Sequence, residues 1–168
     1  MRESDKYPDE VAAMISYIPT SKKESTEEEK KESDEDEEEL APGEFIFLVD
    51  RSGSMNGTRM NLAIEALKIF LQSLPEKSFF NIISFGSGYN LMFPQSVEYN
   101  DKNLHTAKVN VSSFTANMGG TEILNPLVGI MSIVGKETHP RHIFMLTDGA
   151  VGQPESVVNY IRINNHKT

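Results

Sequence analysis

The stretch Phe45-Ile46-Phe47-Leu48-Val49-Asp50-Arg51-Ser52-Gly53-Ser54 decides the fold. Its first five residues are apolar without alternation, the pattern of a strand covered on both faces, as in a parallel sheet between helices. At the C-terminal end the chemistry changes at once to a carboxylate and two hydroxyls. Far downstream, the run Ile143 to Leu146 closes on Thr147-Asp148-Gly149, and Gly119-Gly120-Thr121 lies between the two. Strands that deliver oxygen side chains at their C-terminal ends describe one edge of an open α/β sheet, where such folds build ligand sites. The oxygens on offer are those of Asp50, Ser52, Ser54, Thr121 and Asp148, with no sulfur and no imidazole. Such hard donors suit Mg²⁺, held octahedrally at roughly 2.0–2.1 Å with positions left to water or an outside oxygen. Mn²⁺ is the alternative ion. Taken singly, an Asp or Ser at a strand end is ordinary turn or capping chemistry. Five of them in order, two sets of them at strand ends, are not.

The remaining chain alternates strands and helices. Met60, Ala63, Ile64, Leu67, Phe70, Leu71 and Leu74 fall at helical spacing, which predicts a helix over 59–74, ended by Pro75. Phe79 to Phe85 reads as a second buried strand closed by Gly86-Ser87-Gly88, and Tyr89 to Met92 as a short edge strand stopped by Pro94. Helices are expected over 103–114, over 122–134 with Pro126 near its first turn, and over 154–163; the strand between the last two covers 142–147. Short connections between alternating strands and helices imply a doubly wound, mostly parallel sheet with helices on both faces. Two carboxylates that share one cation require the strands of Asp50 and Asp148 to be neighbours.

The Asp-x-Ser-x-Ser run from Asp50 to Ser54, the isolated Thr121 and the distal Asp148 resemble the metal-ion-dependent adhesion site of von Willebrand factor A domains. The likeness extends over roughly 44–164. Phe45 to Met55, Phe85-Gly86-Ser87, Phe93-Pro94-Gln95-Ser96, Met118 to Leu127 and His142 to Val151 are similar to one subgroup, in which the A domain follows a vault protein inter-alpha-trypsin domain. Val11 to Pro19 is similar to the last strand of that preceding domain. The resemblance implies a strand order 3-2-1-4. It also implies three segments: a remnant of a preceding domain over 1–20, a linker over 21–42, and an A-type domain over 43–168 without the last strands of a full domain. Strand 142–147 would then be an exposed apolar edge that calls for a pairing partner.

Charge is distributed unevenly. The formal net charge is −9, of which residues 21–40 carry −7 and residues 1–20 carry −2, so the chain from Ala41 onward is neutral. The acidic stretch lacks aromatic residues and reads as a disordered linker. Ser21, Ser25, Thr26 and Ser33 each precede an acidic residue by three positions, a spacing shared by acid-directed phosphorylation and by a capping box at Ser25 and Glu28. No basic stripe exists to neutralise the phosphates of nucleic acid. No apolar run reaches the roughly 18 residues of a membrane span. Cysteine is absent, which excludes disulfides and thiolate zinc sites and favours the cytoplasm over secretion as the expected compartment.

These observations point to a binding module and not to an enzyme. As the resemblance implies, a Mg²⁺ held by the five oxygens would accept a Glu or Asp side chain from a partner protein. The acidic linker is a tethered source of the same carboxylates and a possible competitor. A structural scaffold that keeps the motif without using the metal is the alternative. A Mg²⁺-dependent phosphoryl-transfer enzyme with Asp50 as nucleophile would need a second acid two residues on, and that position is Ser52. Gly86-Ser87-Gly88 is too short for a phosphate loop. Arg51 and Met55 are expected to be loop residues bordering the ligand face, Asn56-Gly57 a turn, and His139 and His142 surface residues flanking a strand start.

Overall fold

β1 (Glu44–Asp50) runs through the middle of the sheet, and its side chains explain why. Phe47 and Val49 enter one apolar cluster, while Ile46 and Leu48 enter another on the opposite face, and all four are at most 3% exposed. A strand buried on both sides needs a partner along each edge. β1 pairs in parallel with β2 (Phe79–Phe85) on one side and with β5 (Arg141–Leu146) on the other. β3 (Tyr89–Leu91) and β4 (Val97–Glu98) both pair antiparallel with β2. The computed structural model describes residues 41–136, 138–149 and 154–164. The segment 1–20 and nearly all of the expected linker lie outside the described residues.

Helices cover both faces. α1 (Thr58–Gln72) and α2 (Asp101–Ser112) pack Met60, Ala63, Leu67, Leu71, Ala107 and Val111 against Phe47, Val49, Phe80 and Ile82. α3 (Leu124–Ser132) and α4 (Pro154–Asn164) pack Leu127, Ile130 and Val157 against Ile46, Leu48, Ile83 and Phe85. Each buried large aliphatic or aromatic side chain contributes about 1.5–3 kcal/mol of transfer free energy, so the two layers together fix the sheet between them. The doubly wound, mostly parallel α/β fold is therefore as the sequence predicts. The strand order is β3-β2-β1-β5 with β4 beside β2, so the neighbour of β1 is the fifth strand and not the fourth. The spatial arrangement is the expected one. The numbering differs because the two-residue β4 carries no periodicity to reveal it.

Where boundaries move, they move by one or two residues and for local reasons. Asn100 starts α2 early, since its side chain accepts from the Asn103 N–H at 3.0 Å. α3 is shorter than the span 122–134, and Pro126 is its third residue, where a missing N–H costs nothing. Among the described residues no helix is long and apolar enough to cross a membrane.

β5 pairs with β1, and within it His142 to Met145 are only partly buried. His142 is not the surface residue its position suggested. It stacks on Phe45 with ring centroids 5.2 Å apart, and burial pulls its pKa below the ordinary 6.5. The folded state thus favours the neutral ring. Above the unfolded value both states are neutral and nothing is lost; as pH falls through that value, the unfolded chain takes up the proton more readily and folding weakens. We expect the melting temperature of wild type to drop relative to His142→Phe between pH 7.5 and 5.5. A constant difference across that range would sink this assignment.

Candidate functional site

The register of the sheet puts the ends of β1 and β5 side by side, Val49 opposite Leu146, so Asp50 and the Thr147-Asp148 pair emerge at the same edge. Asp50 is fully buried. One carboxylate oxygen accepts the backbone N–H of Ser52 and the other accepts the Thr147 hydroxyl, each at 2.8 Å. A carboxylate with one donor per oxygen keeps lone pairs to spare. Beyond Asp50 the chain turns into a 3-10 turn, Gly53–Met55, which brings the Ser52 and Ser54 hydroxyl oxygens to 3.0 Å from each other. Neighbouring ligands of an octahedral ion with bonds near 2.0–2.1 Å stand roughly 2.9 Å apart, so the spacing of this pair matches that requirement.

Thr121 is tied in through backbone. Gly53 N–H donates to the Gly119 carbonyl at 2.8 Å, the Ser87 hydroxyl accepts from Gly120 N–H at 2.8 Å, and Glu122 N–H donates to the Gly86 carbonyl at 2.7 Å. Thr121 sits half-buried inside this brace. Gly119 has φ +81°, and a Cβ there would lie 2.6 Å from the Ser87 hydroxyl, so the loop needs glycine for both reasons. Asp148 completes the set from the β5 side. One of its oxygens lies 3.2 Å from Arg59 Nη1, and the same nitrogen donates to the Ser54 carbonyl at 2.9 Å.

The five residues thus lie at one edge of the sheet: hydrogen bonds link Asp50, Ser52 and Ser54, Arg59 bridges Asp148 to the Ser54 carbonyl, and backbone bonds hold the loop of Thr121 against Gly53. Three contributors escaped the sequence reading. Thr147 was in plain view beside Asp148, but its bond to Asp50 needs the β1–β5 pairing. Ser87, in a glycine-flanked segment too short for a phosphate loop, positions the Thr121 loop. Arg59 reads in the sequence only as the start of a helix. Arg51 is a loop residue as expected, and its guanidinium lies 4.5 Å from the Phe114 ring centre and donates to the Thr115 carbonyl at 2.9 Å and to Asn117 Oδ1 at 2.8 Å. Burial lowers its pKa from the ordinary arginine value, and its job is to brace the segment leading into Met118 and Gly119. Asn56-Gly57 is a turn, with Gly57 at φ +79°.

Among the described residues no three His, Cys, Asp or Glu side chains gather into a metal cluster. The set here is of another kind, two carboxylates with three hydroxyls, and its chemistry is that of an oxygen-lined edge with little negative charge.

An open parallel sheet carrying such an edge defines a class of α/β binding domain. The von Willebrand factor type A domain signature matches residues 43–167, and the chain belongs to that family, whose domains generally serve protein–protein interaction. It is 45% identical over 120 residues to a von Willebrand factor A domain-containing protein of Dictyostelium discoideum, covering 71% of this chain and 13% of that protein. It is 42% identical over 134 residues to the human von Willebrand factor A domain-containing protein 5A, covering 74% of this chain and 17% of that one. Among solved structures it is similar to a von Willebrand factor type A structure from Catenulispora acidiphila, with a TM-score of 0.52, 27% identity, and coverage of 56% of this chain and 23% of the other. The chain therefore spans under a fifth of the length of these curated relatives.

Proposed function

We propose that this domain is a divalent-cation-dependent protein-binding module in which Asp50, Ser52, Ser54, Thr121 and Asp148 hold Mg²⁺, with Mn²⁺ as the alternative. The observation that supports it best is the Ser52–Ser54 hydroxyl pair, 3.0 Å apart beside a fully buried Asp50. When bound, such an ion supplies an electrophilic coordination position for a carboxylate from a partner protein. The chain's own residues do the rest. Asp50 is held in place by Ser52 N–H and Thr147, so that its remaining lone pairs point from a fixed site. Neutral hydroxyls leave positive charge uncompensated, which is what an acidic side chain from outside would meet. The finer placement, within the subgroup whose A domain follows a vault protein inter-alpha-trypsin domain, is part of the same proposal and rests on the segments quoted above.

The test is calorimetric titration of Mg²⁺ into the chain. Saturable binding is expected for wild type, and Asp50→Ala should weaken it by more than about 100-fold, beyond the 10–100-fold typical of residues that only support a ligand. A folded wild type that takes up no Mg²⁺ or Mn²⁺ would leave the scaffold reading. One observation favours that second reading: the Arg59–Asp148 ion pair already supplies the edge with a cation of its own.

A further inference from the structure

We infer that Arg59 is the resident cation of this edge and sets how tightly a divalent ion is held there. The inference rests on the metal reading above. Arg59 is the second residue of α1, which begins three residues after the turn that carries Ser54, so its side chain folds back over that turn. A single nitrogen, Nη1, spans the two walls of the site, 2.9 Å from the Ser54 carbonyl and 3.2 Å from Asp148 Oδ2. A positive side chain in the first turn of a helix faces the positive end of the helix dipole, and α1 has no acidic residue there to offset it. Helix electrostatics therefore disfavour a cation at this position. The Asp148 carboxylate offsets that cost.

Exposure indicates which partner can yield. The Asp148 side chain is 9% exposed and that of Arg59 is 39% exposed. The carboxylate is fixed in the site, whereas the guanidinium reaches it from the solvent side on a long flexible stem. A dication ligated by Asp148 would meet the same oxygens that Arg59 now engages, and two cations on one carboxylate repel. Metal binding and the Arg59–Asp148 pair are then linked equilibria, each weakening the other by the same factor. The arginine keeps Asp148 neutralised when the metal is scarce and raises the concentration at which the metal enters.

The experiment is Mg²⁺ and Mn²⁺ titration of the full chain by calorimetry, with the ion-induced shift in melting temperature as a second readout. Arg59→Gln keeps a hydrogen-bond donor and removes the charge, Arg59→Lys keeps the charge, and Arg59→Met guards against failure of either to fold. Arg59→Gln and Arg59→Met should bind Mg²⁺ at least about tenfold more tightly than wild type, within the usual range of coupling between sites. Arg59→Lys should stay within about threefold, and the metal-free melting temperature of Arg59→Gln should be slightly lower while its rise on adding Mg²⁺ is larger. Wild-type binding that is unchanged or weakened in Arg59→Gln would overturn the inference and leave the metal site standing, with Arg59 a mere brace. Folded wild type and Arg59→Gln that both fail to bind either ion would overturn the inference together with the metal reading.

Discussion

Arg141→Met should destabilise the domain by about 3–5 kcal/mol, the cost of leaving half of a buried ion pair behind. Glu44 and Arg141 face each other at the N-terminal ends of β1 and β5, with their side chains only 4% and 2% exposed and Nε to Oε2 at 2.8 Å. Arg141 Nη1 also donates to the Ile130 and Ile133 carbonyls, at 2.9 and 3.0 Å, and so satisfies the C-terminal end of α3. Met fills similar volume but offers no charge and no donor. Glu44 would keep the Ser96 hydroxyl as a donor, too little for a carboxylate only 4% exposed. For a domain of this size the loss corresponds to a drop of roughly 10–20 °C in melting temperature. Replacing both residues by Met should recover a large part, because the stranded charge is gone. The double-mutant cycle measures that recovery. A single Arg141→Met variant that loses under 1 kcal/mol would show that the pair is not the anchor the geometry describes. The pair lies at the opposite end of the strands from Asp50, so whatever Mg²⁺ affinity wild type shows should persist in Arg141→Met below its own transition.

This ion pair illustrates what could be read from the sequence and what could not. Phe45 to Val49 announced a strand covered on both faces because burial on two sides removes the polar alternation, and that signal is local. Asp50 and Asp148 could be assigned to one edge because parallel neighbours end at the same side of a sheet. Glu44 and Arg141 carried no such sign. They are 97 residues apart, and nothing in either neighbourhood distinguishes a buried salt bridge from two surface charges. Arg59 escaped for the same reason, since its bond to Asp148 spans 89 residues. The Arg51 guanidinium meets the Phe114 ring from a distant segment, past the end of α2, so that contact too is invisible in the sequence. Main-chain pattern and strand-end chemistry are written in consecutive residues. Pairings of long charged side chains are decided by packing that joins distant segments.

Gly86→Ala should separate the loop of Thr121 from the rest of the site. Gly86 follows directly on β2, and a Cβ built there would lie 2.3 Å from the Met118 carbonyl oxygen and 2.4 Å from Met118 Cβ. No side-chain rotation relieves a collision with backbone, so one of the two segments must move. Two hydrogen bonds hold them together at this point, Ser87 N–H to the Met118 carbonyl and Glu122 N–H to the Gly86 carbonyl, both at 2.7 Å. The overpacking costs about 1–3 kcal/mol, and more where backbone cannot adjust. Gly86 has no left-handed backbone to protect, so the penalty is one of space alone. Gly88, two residues on, has nothing within 4 Å of a built Cβ, and Gly88→Ala should therefore stay within about 0.5 kcal/mol of wild type. The contrast between two alanines in one turn isolates the close approach from any general dislike of a methyl group. On the metal reading, Gly86→Ala should also weaken Mg²⁺ binding by more than about tenfold while leaving Asp50, Ser52 and Ser54 in place, since a displaced ligand loop costs at least as much as a lost supporting contact. Equal stability of the two variants would mean that Met118 gives way freely. Full Mg²⁺ affinity in a destabilised Gly86→Ala protein would remove Thr121 from the set of ligands and leave Asp50, Ser52, Ser54 and Asp148 to hold the ion.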